Sequence, residues 1–398
     1  MAAGACGSSS ADGASKPPNN TPASADAGAI PAYTGPAPSD ANPVKVGVLY
    51  TDTNPVGVTP EIKDAAKAAA EFINSQGGMD GRKLEIVACN GANNPQSAAR
   101  CANEFVDNKV VTVYGLDGTW GGVGVSIIGK AGIVNQTMPI SGPELTAENA
   151  YPWLGAALTG AAAVVSYAKE NGGKAACVYQ EVAAFQERCV KFFSDFAKKA
   201  GVESETIPVP TTANDLAQYA TRIKGTNAKT VWVIGGEKMV QSTVLSSAQL
   251  GYKPQWISSV QRPDFWKAVG KAGEGMIEWA DLKDAQEPND KEAALFRAVM
   301  NKYAPDSPAG KSGFAVMSFS NLMTLQRLAK KVGGDQITAA NMPKLLSEIN
   351  VQQFMGPVLD ASKAPQGYPH LVHPGAYLYK RVGDGSELAG KGYYSVAE

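Results

Sequence analysis

Short apolar segments alternate with longer segments of helical periodicity from residue 44 onward. The apolar segments have the length and β-branched content of buried strands. Four are predicted to form one sheet, VKVGVLY (44–50), LEIVACN (84–90), VVTVYG (110–115) and TMPIS (137–141), and four a second sheet, KAACVYQ (174–180), VESETIPV (202–209), TVWVIGG (230–236) and QWISSV (255–260). Strands that are apolar on both faces, each followed by a helix, predict parallel sheets covered by helices on both sides.

The helical segments have recognisable starts and ends. TPE (59–61) offers a capping residue, a proline in the first turn and an early acid, and GG (77–78) follows as an end signal. NP (94–95) begins the next helix in the same way. The predicted fold class is therefore α/β, with two doubly wound lobes built on parallel sheets.

Doubly wound sheets bind ligands in the crevice beyond the carboxyl ends of their strands. The predicted site therefore consists of loops that face each other across a gap between the lobes. These loops are 51–57, 116–122 and 141–143 in the first lobe, and 181–185, 235–238 and 261–266 in the second.

Four of the five cysteines form two pairs with equal spacing, Cys89 with Cys101 and Cys177 with Cys189. In each pair the first cysteine lies in a strand-like segment and the second in the helix-like segment that follows. Reduced cytosol rarely keeps such pairs oxidised, so the pattern predicts two disulfides in an exported protein with two lobes of related construction. The alternative is four buried free thiols.

Residues 1–43 differ in composition from the rest of the chain, because Ala, Gly, Ser, Pro, Asn and Asp predominate. Such a segment cannot bury enough apolar surface to offset its ordering entropy, so we expect a disordered tether. Within it, GACGSSS around Cys6 resembles the lipidated region of a bacterial lipoprotein after removal of its signal peptide. The expected location is therefore extracytoplasmic, with a lipid on Cys6 anchoring the chain to a membrane; the alternative is an incidental cysteine.

The charge balance and the missing motifs exclude several classes of protein. Lys and Arg number 36 against 37 Asp and Glu, a net charge of −1 that offers no basic excess for nucleic acid. His370 and His373 lie between prolines and are interpreted as a surface loop rather than a metal-ligand pair. The chain has no GxSxG, no complete GxGxxG and no GxxxxGK[ST] motif, so neither a catalytic role nor a metal or cofactor is predicted.

A glycine-rich turn, LDGTWGG (116–122), enters a predicted helix after the third strand. Backbone N–H groups at such a helix start have no intrahelical acceptor, and the helix dipole favours an anion there. The candidate carboxylate-binding residues are Gly118, Thr119 and Trp120, with Ser141 and Gly142 from the next strand end. The alternative is a tight helix start without a ligand.

The second lobe supplies aromatic side chains and an acid near its strand ends. Phe185, Phe265 and Trp266, with Trp120 from the first lobe, could close over an apolar or ring-bearing group, although aromatic residues at such positions often belong to the core. Glu237 follows a glycine pair at a strand end, where a ligand cation would meet it. The alternative for Glu237 is a solvated surface acid.

These segments carry a family resemblance. From residue 44 to about residue 284 the chain resembles the branched-chain amino-acid (Leu/Ile/Val) type of solute-binding protein that serves ABC importers. The stretches that carry it are VKVGVLY, INSQGGMDGRKLEIV, YGLDGTW, MPISGPELTAENA and VWVIGGEKM. SGFAVMSFSNLMTLQRLAKKVGG is similar to the return helix of the family's first lobe, and GPVLD with GAYLYKRVGDGS to its closing strands.

The resemblance implies the periplasmic-binding-protein type I fold, in which two lobes are joined by three crossovers. The crossovers are expected near 154–159, 282–287 and 353–358. Lobe 1 is expected to comprise 44–156 and 285–354, and lobe 2 to comprise 157–284 and 355–398.

The resemblance also implies ligand contacts. Thr119 and its neighbours stand where the family's turn binds the ligand carboxylate, and Ser141 and Gly142 stand where the next strand end completes that contact. Phe185 stands in the place of an aromatic residue that covers the ligand, and Glu237 in the place of another lobe 2 contact.

One position departs from the family pattern. Where the family has an acid that binds the α-ammonium, this chain has Gln261, and Asp264 is the nearest carboxylate. An unpaired ammonium in a closed cleft is costly, so a free amino acid would need Glu237 or Asp264 as its partner. If neither reaches, amides, aromatic acids and other small polar organic molecules become the favoured ligands.

The sequence therefore predicts a binding protein that captures a small polar organic or amino-acid-like molecule between two lobes and presents it to ABC permease subunits. One alternative keeps the fold and makes the protein a ligand sensor that signals to a membrane receptor. A second is an enzyme on the same scaffold with Glu237 or Asp264 as a general base.

Overall fold

The computed structural model describes residues 30–53, 58–259, 263–307, 312–365, 367–383 and 385–396. Cys6 and Gln261 lie outside these ranges. The strands are β1 (Ser39–Tyr50), β2 (Arg82–Asn90), β3 (Thr112–Gly115), β4 (Val134–Asn135), β5 (Ala175–Gln180), β6 (Ser204–Val209), β7 (Thr230–Ile234), β8 (Gln255–Ser258), β9 (Ile277–Ala280), β10 (Asn350–Gln352), β11 (Val358–Asp360), β12 (Gly375–Val382) and β13 (Gly385–Ser395).

The helices cover both faces of the sheets. They are α1 (Pro60–Ser75), α2 (Pro95–Asp107), α3 (Trp120–Lys130), α4 (Gly142–Thr146), α5 (Ala156–Glu170), α6 (Ala183–Gln186), α7 (Ser194–Ala200), α8 (Ala217–Gly225), α9 (Glu237–Gln249), α10 (Pro263–Val269), α11 (Lys291–Tyr303), α12 (Gly313–Val332) and α13 (Met342–Ser347). A π-helical segment, Glu187–Phe193, joins α6 to α7, and a 3-10 turn, Gly270–Gly273, follows α10.

The main strands form two sheets. The first has the order β2-β1-β3-β4, with every pair parallel. The second has the order β13-β12-β9-β8-β7-β5-β6, in which β5 to β9 are parallel and β12 and β13 are antiparallel additions. The predicted α/β class with two doubly wound parallel-sheet lobes is confirmed.

Alternate residues of β1 face opposite layers of helices, because successive strand side chains point to opposite sides of a sheet. Val44, Val46 and Val48 are buried in the cluster that contains α1 and α12, whereas Leu49 belongs to the cluster that contains α2 and α3. The second sheet is divided in the same way between α5 with α7 and α8 with α9. Burial on both faces explains why the strands read as continuous apolar segments.

Both predicted disulfides are present. Cys89 in β2 is bonded to Cys101 in α2, and Cys177 in β5 to Cys189 in the π-helical segment, each with a Cα–Cα distance of 5.6 Å. All four cysteines are buried. Each disulfide therefore fixes one covering helix to a strand of its own sheet.

We expect the double substitution Cys177→Ala, Cys189→Ala to lower the free energy of unfolding by about 3 kcal/mol, because the unfolded chain loses a loop constraint. Urea unfolding of the oxidised variant and of the natural protein measures this difference. Equal free energies of unfolding would show that the disulfide does not constrain the unfolded chain.

Two predicted boundaries differ from the structure. TMPIS was predicted as a strand, but only Val134–Asn135 is strand, although the N–H groups of Gln136 and Met138 still donate to β3 carbonyls. The expected tether to residue 43 is ordered in its last part, since β1 begins at Ser39 and the Arg82 guanidinium donates to the carbonyls of Asn42 and Pro43.

The chain passes between the sheets before α5, after β9 and before β12. The second passage carries Asp281, whose carboxylate accepts hydrogen bonds from the N–H groups of Gly155 and Ala156 and from the Thr159 hydroxyl in the first passage. In the third passage, the buried His373 donates from Nε2 to the Asp281 carbonyl at 2.9 Å. Asp281 therefore joins all three passages.

The predicted crossovers differ from these passages at one point. Segments 154–159 and 282–287 lie in the first two passages, but 353–358 spans the turn between β10 and β11, and the chain joins the second sheet only at β12. The turn still lies beside the second passage, because Lys283 N donates to Met355 O at 2.8 Å. The exact lobe boundaries stay a prediction.

Candidate functional site

A cavity of about 1110 Å³ lies where the carboxyl ends of strands from both sheets meet. The loops after β3, β5 and β7 all contribute to its lining, as the crevice rule predicts. Its first-lobe lining includes Leu116, Gly118, Thr119, Met138 and Ile140, and its second-lobe lining includes Val182, Phe185, Arg188, Ile234 and Glu237.

The structure separates the predicted ligand residues into two groups. At the cavity are Gly118, Thr119, Phe185 and Glu237. Among those absent from the lining, Trp120 is fully buried in the first lobe, where its indole N–H donates to Asn135 Oδ1, and Asp264 is exposed in the first turn of α10. Ser141 and Gly142 lie next to the cavity residue Ile140 but do not line the cavity themselves.

The donors of the glycine-rich turn are occupied by the protein. Thr119 donates to Asp117 Oδ1 from both its N–H, at 2.8 Å, and its hydroxyl, at 2.7 Å. Gly118 N donates to Asn93 Oδ1, and Asp117 is fully buried. An internal carboxylate and an internal amide therefore hold the groups that the sequence assigned to a ligand carboxylate.

Ser141 is occupied in the same way by Glu144. Glu144 Oε2 accepts hydrogen bonds from the N–H groups of Ile140 and Ser141 and from the Ser141 hydroxyl, and Oε1 accepts from the Thr137 hydroxyl. Burial raises the pKa of Glu144 to about 7, against these hydrogen bonds, which lower it. The carboxyl group therefore titrates near neutrality.

We expect Glu144 to make stability depend on pH. Its folded-state pKa of about 7 lies above the usual 4.5, so its contribution to stability is fully present below pH 4.5 and is lost as pH rises through 7. Relative to Glu144→Gln, the natural protein should lose about 3 kcal/mol of unfolding free energy across that range. Urea unfolding of both proteins at several pH values tests this, and parallel pH profiles would contradict it.

Arg188 is the cavity residue that sequence reasoning missed. Its side chain is only 4% exposed, and it makes no ion pair or hydrogen bond with any described residue. Burial lowers its pKa to about 10, against nearby acids that raise it, so the guanidinium stays charged at neutral pH. Its guanidinium carbon lies 5.7 Å from the centre of the Phe185 ring. The only sequence signal is its position directly before the disulfide-bonded Cys189.

The residue before Arg188 connects the lobes. Glu187 Oε2 accepts a hydrogen bond of 3.2 Å from the N–H of Gly142, the first residue of α4. A carboxylate at a helix start is stabilised by the exposed N–H groups there. The cavity is therefore bridged at this edge.

Another part of the lining comes from α10, β9 and β12. Burial raises the pKa of Glu278 well above its usual value, and the nearby Asp284 carboxylate raises it further. The Arg381 guanidinium lies 5.4 Å from the centre of the Trp266 ring. Trp266 belongs to the predicted loop 261–266, but the contributions of β9 and β12 were not predicted, because these strands meet the cavity from distant parts of the chain.

Both histidines lie in the third passage, in the loop between β11 and β12, and His370 contacts Ala150 just before the first passage. His373 is fully buried, and burial lowers its pKa. His370 stacks on Tyr151 with ring centres 4.1 Å apart. The described residues contain no group of three His, Cys, Asp or Glu side chains that could hold a metal ion. None of the helices in the described ranges has the length and apolar character needed to cross a membrane.

A family model and a related protein both match most of this chain. The family described as "Periplasmic binding protein" matches residues 43–376. The Leu/Ile/Val-binding protein homolog 3 of Brucella melitensis is 24% identical over 306 residues, which cover 75% of this chain and 81% of that protein.

Solved structures share the fold at lower identity. An extracellular ligand-binding receptor from Verminephrobacter eiseniae has a TM-score of 0.71 at 19% identity, covering 88% of this chain and 100% of its own. An ABC-transporter solute-binding protein from Rhodopseudomonas palustris, in complex with p-hydroxybenzoic acid, has a TM-score of 0.72 at 15% identity, covering 89% and 98%.

Proposed function

Because this chain belongs to the periplasmic binding protein family, an extracytoplasmic family of solute-binding proteins rather than of enzymes, we propose that it captures a small organic solute between its lobes and delivers it to an ABC importer. The importer's permease subunits are the expected partners. Binding and release are the whole of the proposed activity.

The observation that carries this proposal is the cavity between the two sheets. Leu116 and Met138 line it from one lobe, and Phe185 and Glu237 from the other, so a solute of suitable size would contact both lobes. Contacts to both lobes favour a closed arrangement over an open one, because the ligand binds the closed state better.

The passages between the sheets fit a hinge. Asp281 holds the three passages together by hydrogen bonds, while the lobes beyond them have largely separate covering helices. A change in backbone angles at a few residues of the passages could therefore move one lobe against the other. The hydrogen bond from Gly142 to Glu187 would form only when the lobes are close.

The names of relatives support an organic solute. The Brucella relative is named for leucine, isoleucine and valine, and the Rhodopseudomonas protein holds an aromatic acid. We propose that the ligand of this chain is a small polar organic or amino-acid-like molecule. Lipid attachment at Cys6 would keep the protein beside a membrane-embedded permease, and mass spectrometry of the protein from its native cells would detect the lipid.

A ligand screen tests the proposal. Thermal shift with amino acids, aromatic acids, amides and nucleobases should identify a solute that stabilises the protein by mass action, and calorimetry should give one site per chain. Uptake of that solute should fall in cells that lack this protein. Tight binding with unchanged uptake would favour the sensor alternative, and absence of any solute binding would contradict the proposal.

A further inference from the structure

We infer that Arg188 binds the carboxylate of the captured solute, so that the ligand is an organic carboxylate with an apolar body. This inference rests on the proposed function and names the ligand chemistry of the same cavity. It differs from the sequence prediction, which placed the carboxylate at Thr119 and Ser141.

The first argument is that the Arg188 guanidinium is buried and its Nε has no hydrogen-bond partner among the described residues. Arg188 lines the cavity and is 4% exposed. A charged group removed from water without a partner is costly. A ligand can supply the missing acceptor, and a carboxylate matches the planar fork of a guanidinium with two parallel hydrogen bonds.

The second argument is that three other donors in or beside the cavity are occupied. The Thr119 hydroxyl donates to Asp117, and the Ser141 hydroxyl donates to Glu144. Lys283 also lines the cavity, but its ammonium lies 2.6 Å from Asp290. Among these groups, Arg188 is the one whose donors are still available to a ligand.

The third argument is how firmly the residue is placed. Arg188 belongs to the π-helical segment, a conformation often found at functional sites. Cys189, the next residue, is bonded to Cys177 in the central strand β5, and Glu187, the preceding residue, contacts the opposite lobe. Phe185 lies against the guanidinium. The site is therefore held in position before a ligand arrives.

The surrounding surface indicates the rest of the ligand. Leu116, Met138, Ile140, Val182 and Ile234 line the cavity along with Phe185. These side chains stabilise aliphatic or ring carbons rather than additional charges. A simple organic acid and an apolar amino acid share this chemistry, and Glu237 at the cavity could accept the ammonium of the latter.

Calorimetry with defined probes tests the inference. The carboxylates are benzoate, 3-phenylpropionate, 4-methylvalerate, L-phenylalanine and L-leucine, and the uncharged counterparts are benzamide and 3-phenylpropionamide. At least one carboxylate should bind with one site per chain, and its amide should bind at least about 100-fold more weakly. Preference for 3-phenylpropionate or for L-phenylalanine decides whether the ligand carries an ammonium group.

Substitutions at Arg188 then separate binding from folding. Arg188→Met should weaken the carboxylate by about 100-fold or more, while the melting temperature without ligand stays equal or rises, because an unpaired buried charge is removed. Arg188→Lys keeps the charge without the planar fork and should lose about tenfold. Arg222→Met, at an exposed position on α8, should bind as the natural protein does.

Three results would overturn the inference. The first is that Arg188→Met binds the carboxylate within about threefold of the natural affinity. The second is that Arg188→Met has a lower melting temperature and loses affinity equally for every ligand. The third is that none of the carboxylate probes binds the natural protein. If an uncharged or cationic solute binds with one site per chain and Arg188→Met leaves its affinity unchanged, the inference fails and the proposed function stands.

Discussion

We expect Asp281→Ala to lower the free energy of unfolding by about 3 to 5 kcal/mol, one of the two largest effects that the structure predicts. The substitution leaves the N–H groups of Gly155 and Ala156 and the hydroxyl of Thr159 without their acceptor in a buried setting. Each buried donor without a partner costs about 1 to 3 kcal/mol. Urea unfolding followed by circular dichroism measures the loss.

A matched control uses Asp290, a carboxylate at the end of the second passage that caps α11, pairs with Lys283 and, among the described residues, does not contact the other two passages. Asp290 accepts hydrogen bonds from the N–H groups of Glu292 and Ala293 at the start of α11, but it is partly exposed. Asp290→Ala should therefore cost only about 1 kcal/mol. Equal losses at Asp281 and Asp290 would show that Asp281 is an ordinary helix cap rather than the residue that joins the passages.

The second large effect is expected for Gly115→Ala, which should lower the free energy of unfolding by more than about 3 kcal/mol. Gly115 ends β3 with φ of +113°, and a Cβ atom there would lie 2.0 Å from the Leu49 carbonyl oxygen of β1. The Leu49 oxygen is a backbone atom, and the position of the added Cβ is fixed by the backbone of residue 115. The clash therefore cannot be relieved by a side-chain rotation. The cavity loop that follows Gly115 should be displaced, so ligand affinity should fall as well.

Gly132→Ala is the matched control for Gly115→Ala. Gly132 has φ of +73°, but an added Cβ would meet nothing within 4 Å. It should cost only the strain of a left-handed backbone, about 1 to 2 kcal/mol. A similar loss at both glycines in thermal or urea unfolding would mean that the close approach of β1 and β3 is not what requires Gly115.

The fold could be predicted because it depends on repeated local patterns. Continuous apolar strands, each followed by a helix with a capped start, specify parallel sheets covered on both faces, and the start of α2 is held by Asn94 as its sequence suggests. Thr59 shows the limit, since α1 begins after it but its hydroxyl accepts from Thr51 N rather than capping the helix.

The cavity could be located from the sequence, but the donors that are available in it could not. The crevice rule places the loops after β3, β5 and β7 correctly, because strand direction alone fixes that edge. Whether a donor in such a loop is available depends on partners distant in sequence, such as Asn93 for Gly118. Sequence spacing carries no information about those contacts.

Arg188 and His373 show the same limit, because both are polar residues whose burial the sequence did not indicate. An arginine in a helical segment is usually solvated, and a histidine between prolines suggests a loop, yet both side chains are buried beside the passages between the lobes. Burial of a polar residue is decided by tertiary packing, and local sequence patterns report it poorly. The position of Arg188 next to a disulfide became informative only once the partner strand was known.

The central claim is that a solute is captured by closure of the two lobes around the cavity. Small-angle X-ray scattering of the full chain, with and without a saturating amount of the solute that the screen identifies, tests it most directly. We predict a smaller radius of gyration and a narrower distance distribution in the presence of the solute. Identical scattering profiles at confirmed saturation would contradict closure as the mechanism of capture.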